Sequence, residues 1–108
     1  MSAEISNVNV YEFFDLMKSD QYKVIDVRTP AEYKDARIAE CPLIDFNSPD
    51  FPEKIALLDK DASYLVYCRS GNRSMRAVQM MSQLGFKKLV NMDGGILAWA
   101  QNGLPLIR

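Results

Sequence analysis

A length of 108 residues fits one domain, taken as residues 1–108, and leaves little room for a second. Hydrophobic residues at 48% and charged residues at 25% mark a chain that folds and stays in solution. The formal net charge of −1 excludes nucleic acid as a bulk partner, and no apolar stretch approaches a membrane span. The start, Met1-Ser2-Ala3-Glu4, lacks a basic region followed by an apolar block, so the expected location is the cytoplasm.

In chain order, Val8 to Lys18 is predicted as a helix. Asn9 and Glu12 fit a capping box, and Val10, Phe13, Phe14 and Met17 recur at helical spacing. Lys23 to Arg28 reads as a buried strand. Thr29-Pro30-Ala31-Glu32 then opens a short helix reaching about Lys34, with Thr29 as cap, Pro30 at its first position and Glu32 closing the box. Pro42 to Phe46 is a weaker strand, and a helix beginning near Ser48-Pro49 runs through Leu58. Tyr64 to Tyr67 is a strand ending at Cys68. A helix from about Ser74 to Leu84 stops at Gly85. Lys88 to Asn91 is a strand, Asp93-Gly94-Gly95 a turn, and Ile96 to Gln101 a short helix before Gly103 and Pro105. Strands alternating with helices over short connections predict an α/β sandwich around a mainly parallel sheet. Sites in such folds lie beyond the carboxyl ends of the strands.

Cys68 stands at one of those ends. It opens the loop Cys68-Arg69-Ser70-Gly71-Asn72-Arg73, between an apolar strand and a helix. A helix N-terminus gathers unpaired N–H groups and partial positive charge, which favour an anion. Gly71 lets the loop curl so that backbone amides converge, and Arg69 and Arg73 add charge. The thiolate is the reactive form of cysteine. The chain has no histidine, so neither a Cys-His pair nor a Ser-His-Asp triad can form within it. Activation of Cys68 therefore falls to amides and arginines. Such a cradle suits a persulfide or a bound oxyanion. Cysteine phosphatases follow C-x5-R, whereas Arg73 gives C-x4-R here, a smaller bowl matched to one sulfur atom.

Three separated segments now carry a resemblance: Val24 to Tyr33, the Cys68 to Ser74 loop after Leu65-Val66-Tyr67, and Asn91 to Trp99 followed by Gly103-Leu104-Pro105. In order and spacing the chain resembles a single-domain rhodanese, a sulfurtransferase. The resemblance implies a five-stranded parallel sheet flanked by helices. It implies that Cys68 takes sulfane sulfur from a donor such as thiosulfate, becomes a persulfide, and yields the sulfur to cyanide, a small thiol or a protein thiol. It maps Arg69 and Arg73 onto positions that favour an anionic donor, with Ser70, Gly71 and Asn72 completing the loop. No metal or organic cofactor is required. The pattern Gly-His-Ile-Pro-Gly-Ala, frequent in the family, is replaced by Ala36-Arg37-Ile38-Ala39-Glu40-Cys41. Two further functions remain open at this point, a sulfur-carrier or regulatory interaction module and a cysteine phosphatase or arsenate reductase.

The other polar residues have structural expectations. Asp26 and Arg28 order loops through hydrogen bonds, Glu32 caps a helix, and Arg76 makes a surface salt bridge. Trp99 and the methionines belong to the core. Cys41 is expected to pack, with a resolving thiol for Cys68 as the alternative.

Overall fold

The computed structural model describes residues 3–108. Its sheet contains β1 (Glu4–Val8), β2 (Tyr22–Asp26), β3 (Ser63–Tyr67) and β4 (Lys88–Met92), all parallel, in the order β1-β4-β3-β2. Five helices connect and cover them: α1 (Val10–Met17), α2 (Pro30–Asp35), α3 (Phe51–Ala56), α4 (Asn72–Gln83) and α5 (Gly95–Gln101). None of these helices is long and apolar enough to cross a membrane.

Alternation along β3 divides the core. Tyr64, Val66 and Cys68 face α3 and α4, packing with Phe51, Ile55, Ala77, Val78 and Met81. Leu65 and Tyr67 face the opposite layer, where α1 and α5 contribute Val10, Phe13, Ile96 and Trp99. Trp99 is fully buried and its indole N–H donates to the Pro105 carbonyl at 2.7 Å, which fastens the C-terminal segment to α5.

The structure departs from the sequence expectations at several edges. Glu4–Val8 is a strand, paired in register with Lys88–Met92, so the first helix starts at Val10 rather than Val8. Asn9 caps that helix by accepting from the Glu12 N–H at 2.9 Å. The sheet has four strands, not five. Pro42 to Phe46 runs beside β2 but pairs only through the Asp26–Leu43 bridge, because Pro42 has no N–H to extend a ladder. The third helix begins at Phe51, not Ser48, with Pro52 in its first turn. By contrast, α2 carries the full predicted capping box between Thr29 and Glu32.

Candidate active site

The polypeptide leaves β3 at Tyr67, turns through Cys68 to Gly71 and enters α4 at Asn72. The helix starts two residues earlier than the sequence pattern places it. Gly71 makes this possible with φ +102°, where a side chain would also press within 3.4 Å of the Gly94 nitrogen and the Met92 carbonyl. This turn aims two donors at the thiol. The Gly71 N–H donates to Cys68 Sγ at 3.1 Å, and the Ser74 hydroxyl donates at 3.2 Å. Both bonds fix the sulfur within the turn. The sequence places Ser74 at the end of the Cys68 loop, where it reads as the start of the helix and receives no part in the site. Its signal was a hydroxyl in the first turn of a helix that follows a cysteine.

Cys68 is only 1% exposed. Its sulfur therefore sits in a shielded bowl with polar donors on one side and the α3–α4 core beneath. Arg69, Ser70 and Asn72 are exposed on the outside of the loop. The carbonyls of Cys68 and Arg69 accept from the Ile96 and Leu97 N–H groups at 2.9 and 3.1 Å, so the first turn of α5 holds the loop from behind. Gly95 permits that approach. A Cβ there would lie 2.3 Å from the Arg69 carbonyl oxygen.

Arg73 does not turn a free fork toward the loop mouth. Its Nη1 and Nη2 donate to Glu32 Oε1 and Oε2 at 2.9 and 3.0 Å. The same carboxylate accepts from the Thr29 N–H and hydroxyl at 3.1 Å each. Glu32 is thus both the cap of α2 and the clamp on α4, joining two elements across the site. The Arg73 fork holds its carboxyl well below the ordinary 4.5, at about 2, with the Thr29 bonds acting in the same direction. A depressed carboxylate pKa stabilises the fold above its unfolded value, and that contribution is lost as pH falls through the folded value. Acid titration of stability should therefore show a decline between pH 4.5 and about 2 that is shallower in Glu32→Gln. Denaturant midpoints measured across that window check this, and identical slopes would remove the clamp's energetic role.

Behind the loop, Asp26 and Arg28 form a buried pair. Arg28 Nη2 donates to Asp26 Oδ2 and to the Ala36 carbonyl, both at 2.7 Å, and the Tyr67 hydroxyl donates to Asp26 at 2.6 Å. The pair orders the segment after β2, as the sequence reading expects. Cys41 packs with the Tyr67 layer, on the face of the sheet opposite Cys68. Burial and then the Asp26 charge push its thiol up to about 12, the wrong direction for an attacking thiolate. Both cysteines are free. Arg76 is exposed and makes no ion pair among the described residues, contrary to expectation.

The arrangement sets a thiol at the carboxyl end of a parallel sheet, within hydrogen-bond reach of the Gly71 N–H and the Ser74 hydroxyl. Comparison with known proteins points the same way. Residues 9–102 match the family model of the rhodanese-like domain. A sulfurtransferase of Allochromatium vinosum is 34% identical over 92 residues, covering 85% of this chain and 84% of its own. A thiosulfate sulfurtransferase of Arabidopsis thaliana is 32% identical, covering 95% of this chain and 84% of its own. The crystal structure of a rhodanese-related protein from Thermoplasma volcanium superposes with a TM-score of 0.83 at 35% identity, over 94% of this chain and 97% of that one. A thiol cradled at a strand-to-helix turn, in a domain matched along nearly its whole length, places this chain in the rhodanese-like domain family.

Proposed function

We propose that Cys68 of this sulfurtransferase carries sulfur as a persulfide, taking it from thiosulfate or a similar anionic donor. The paired donation of Gly71 N–H and Ser74 Oγ–H to Sγ, at 3.1 and 3.2 Å, carries the reading. In the first half-reaction the Cys68 thiolate attacks the outer sulfur of thiosulfate. The sulfur–sulfur bond of the donor breaks and sulfite leaves with the electron pair. In the second, a thiophilic acceptor takes the outer sulfur and the electron pair returns to Sγ. Cyanide serves as an acceptor in the laboratory, and a small or protein thiol in the cell.

The loop residues have distinct parts in this reading. Arg69, exposed on the outside of the loop next to Cys68, draws the anionic donor toward it. Ser70, Gly71 and Asn72 supply backbone around the sulfur. Arg73 braces the loop against Glu32 and adds positive charge near the thiol. Two free thiols fit a reducing compartment, and the cytoplasm is the proposed location. Intact-mass spectrometry tests the scheme. Thiosulfate treatment should add one sulfur atom to the protein, and cyanide should strip it off. A mass unchanged by thiosulfate rules out that donor, and a sulfur that cyanide leaves in place rules out the discharge step.

A further inference from the structure

The sulfur loop carries two arginines, and the structure leaves only one of them uncompensated. Arg69 is exposed and makes no ion pair among the described residues. Arg73 is neutralised by Glu32 through two parallel bonds at 2.9 and 3.0 Å. Arg28, whose charge also reaches Arg73, is matched in the same way by Asp26 at 2.7 Å.

Glu32 is a hard partner to displace. Its Oε1 accepts from the Thr29 N–H and hydroxyl as well as from Arg73, so turning the carboxylate away forfeits four bonds. An incoming oxyanion competes for the Arg73 fork against a carboxylate that the fold already holds in place. The newcomer loses translational freedom on binding, and the tethered carboxylate does not. The Arg73 and Glu32 side chains are 23% and 27% exposed, so solvent screens the pair only in part. The pair also stands near the reacting sulfur. Arg73 precedes Ser74, whose hydroxyl touches Sγ at 3.2 Å. The bonds to Glu32 raise Arg73 above its ordinary value, and charge on Cys68 acts on it in the same direction.

We propose that Glu32 is a specificity-determining residue: by neutralising Arg73 it tunes the loop to sulfane donors with one negative charge, such as thiosulfonates, and holds back dianions such as thiosulfate. The assignment rests on the persulfide reading above and concerns the donor of that same site. The bonds exchanged are alike for both donors. The Cys68 thiolate attacks the outer sulfur, and the sulfur–sulfur bond of the donor breaks. Sulfite leaves thiosulfate, or a sulfinate leaves a thiosulfonate, with the electron pair. Selectivity lies in the approach. The one uncompensated guanidinium of the loop, Arg69, matches one negative charge, and a second negative charge meets the Glu32 carboxylate. A unit charge several ångströms away near a protein surface is enough to change a rate about tenfold.

The test compares thiosulfate with methanethiosulfonate, in which a methyl group replaces one charged oxygen. With cyanide as the common acceptor, kcat/KM for each donor reports the loading half-reaction alone. Glu32→Gln removes the charge and keeps a residue that can close the capping box of α2. Glu32→Ala removes the acceptor altogether. Each should raise the ratio of the thiosulfate value to the methanethiosulfonate value about tenfold. Adding Arg73→Gln to Glu32→Gln should bring the ratio back to within about threefold of the unaltered protein, because the freed guanidinium is then gone. A clamp with a merely structural role would slow both donors together and leave the ratio fixed. An unchanged ratio in both single variants, or a rise that persists in the double variant, would overturn the role of Glu32 and leave the persulfide standing. A protein whose mass gains no sulfur from thiosulfate, methanethiosulfonate or polysulfide would overturn the underlying reading, and this assignment with it.

Discussion

Cys68→Ala is expected to abolish sulfur transfer while the domain remains folded. The rate should fall at least about 10³-fold, since losing a covalent nucleophile removes the pathway itself. The fold should survive because Cys68 contributes one small side chain to a layer dominated by Phe51, Ile55, Val66 and Met81. Some stability will go. The Gly71 N–H and Ser74 hydroxyl lose their acceptor at Sγ, and an orphaned buried donor costs about 1–3 kcal/mol. Cys68→Ser separates the two effects, because its oxygen can accept those bonds but cannot hold a sulfane sulfur. Both variants should be inactive in a thiosulfate-to-cyanide assay, with the serine variant melting higher than the alanine variant. Turnover close to the unaltered protein in either one would end the persulfide mechanism.

Gly95→Ala is the substitution expected to damage fold and activity together. The residue has φ +59°, and its added methyl would stand 2.3 Å from the Arg69 oxygen and 2.6 Å from the Cys68 oxygen. Both obstacles are backbone, so no side chain can swing aside. The left-handed backbone costs about 1–2 kcal/mol and the overpacking about 1–3 kcal/mol more. A sum of about 2–5 kcal/mol is a large share of the ~5–15 kcal/mol that holds a typical domain together. Relief requires the loop to move off α5, breaking the bonds from Ile96 and Leu97 that fix it. Gly103→Ala is the matched control. It has φ +70° but nothing within 4 Å of the added methyl, so it carries the backbone cost alone. Chemical denaturation and the transfer assay on both variants decide the matter. Equal stability and equal activity for the pair would show that the contact at Gly95 is not what positions the loop.

The sulfur loop was legible in the sequence because its features are local: a strand, a cysteine, a glycine and a helix start within a few residues. The Thr29–Glu32 box was legible for the same reason. What escaped depends on partners distant in the chain. Glu4–Val8 alternates weakly and is mostly exposed, and it becomes a strand because β4 offers it an edge. Arg73 read as an anion receptor because Glu32 lies 41 positions away, and nothing in the spacing announces that they meet. Cys41 could be a resolving thiol on paper. The alternation of β3 and the packing around Tyr67 put it on the far face of the sheet.

The grip of α5 on the loop has an electrical consequence. A trans peptide unit points its N–H opposite to its carbonyl, and no cis bond occurs among the described residues. With the oxygens of Cys68 and Arg69 spent on α5, the amide hydrogens of Arg69 and Ser70 in the same peptide units point away from α5. The orientation of two peptide dipoles next to the thiol is thus set from outside the loop, by the hydrogen-bond needs of a neighbouring helix end.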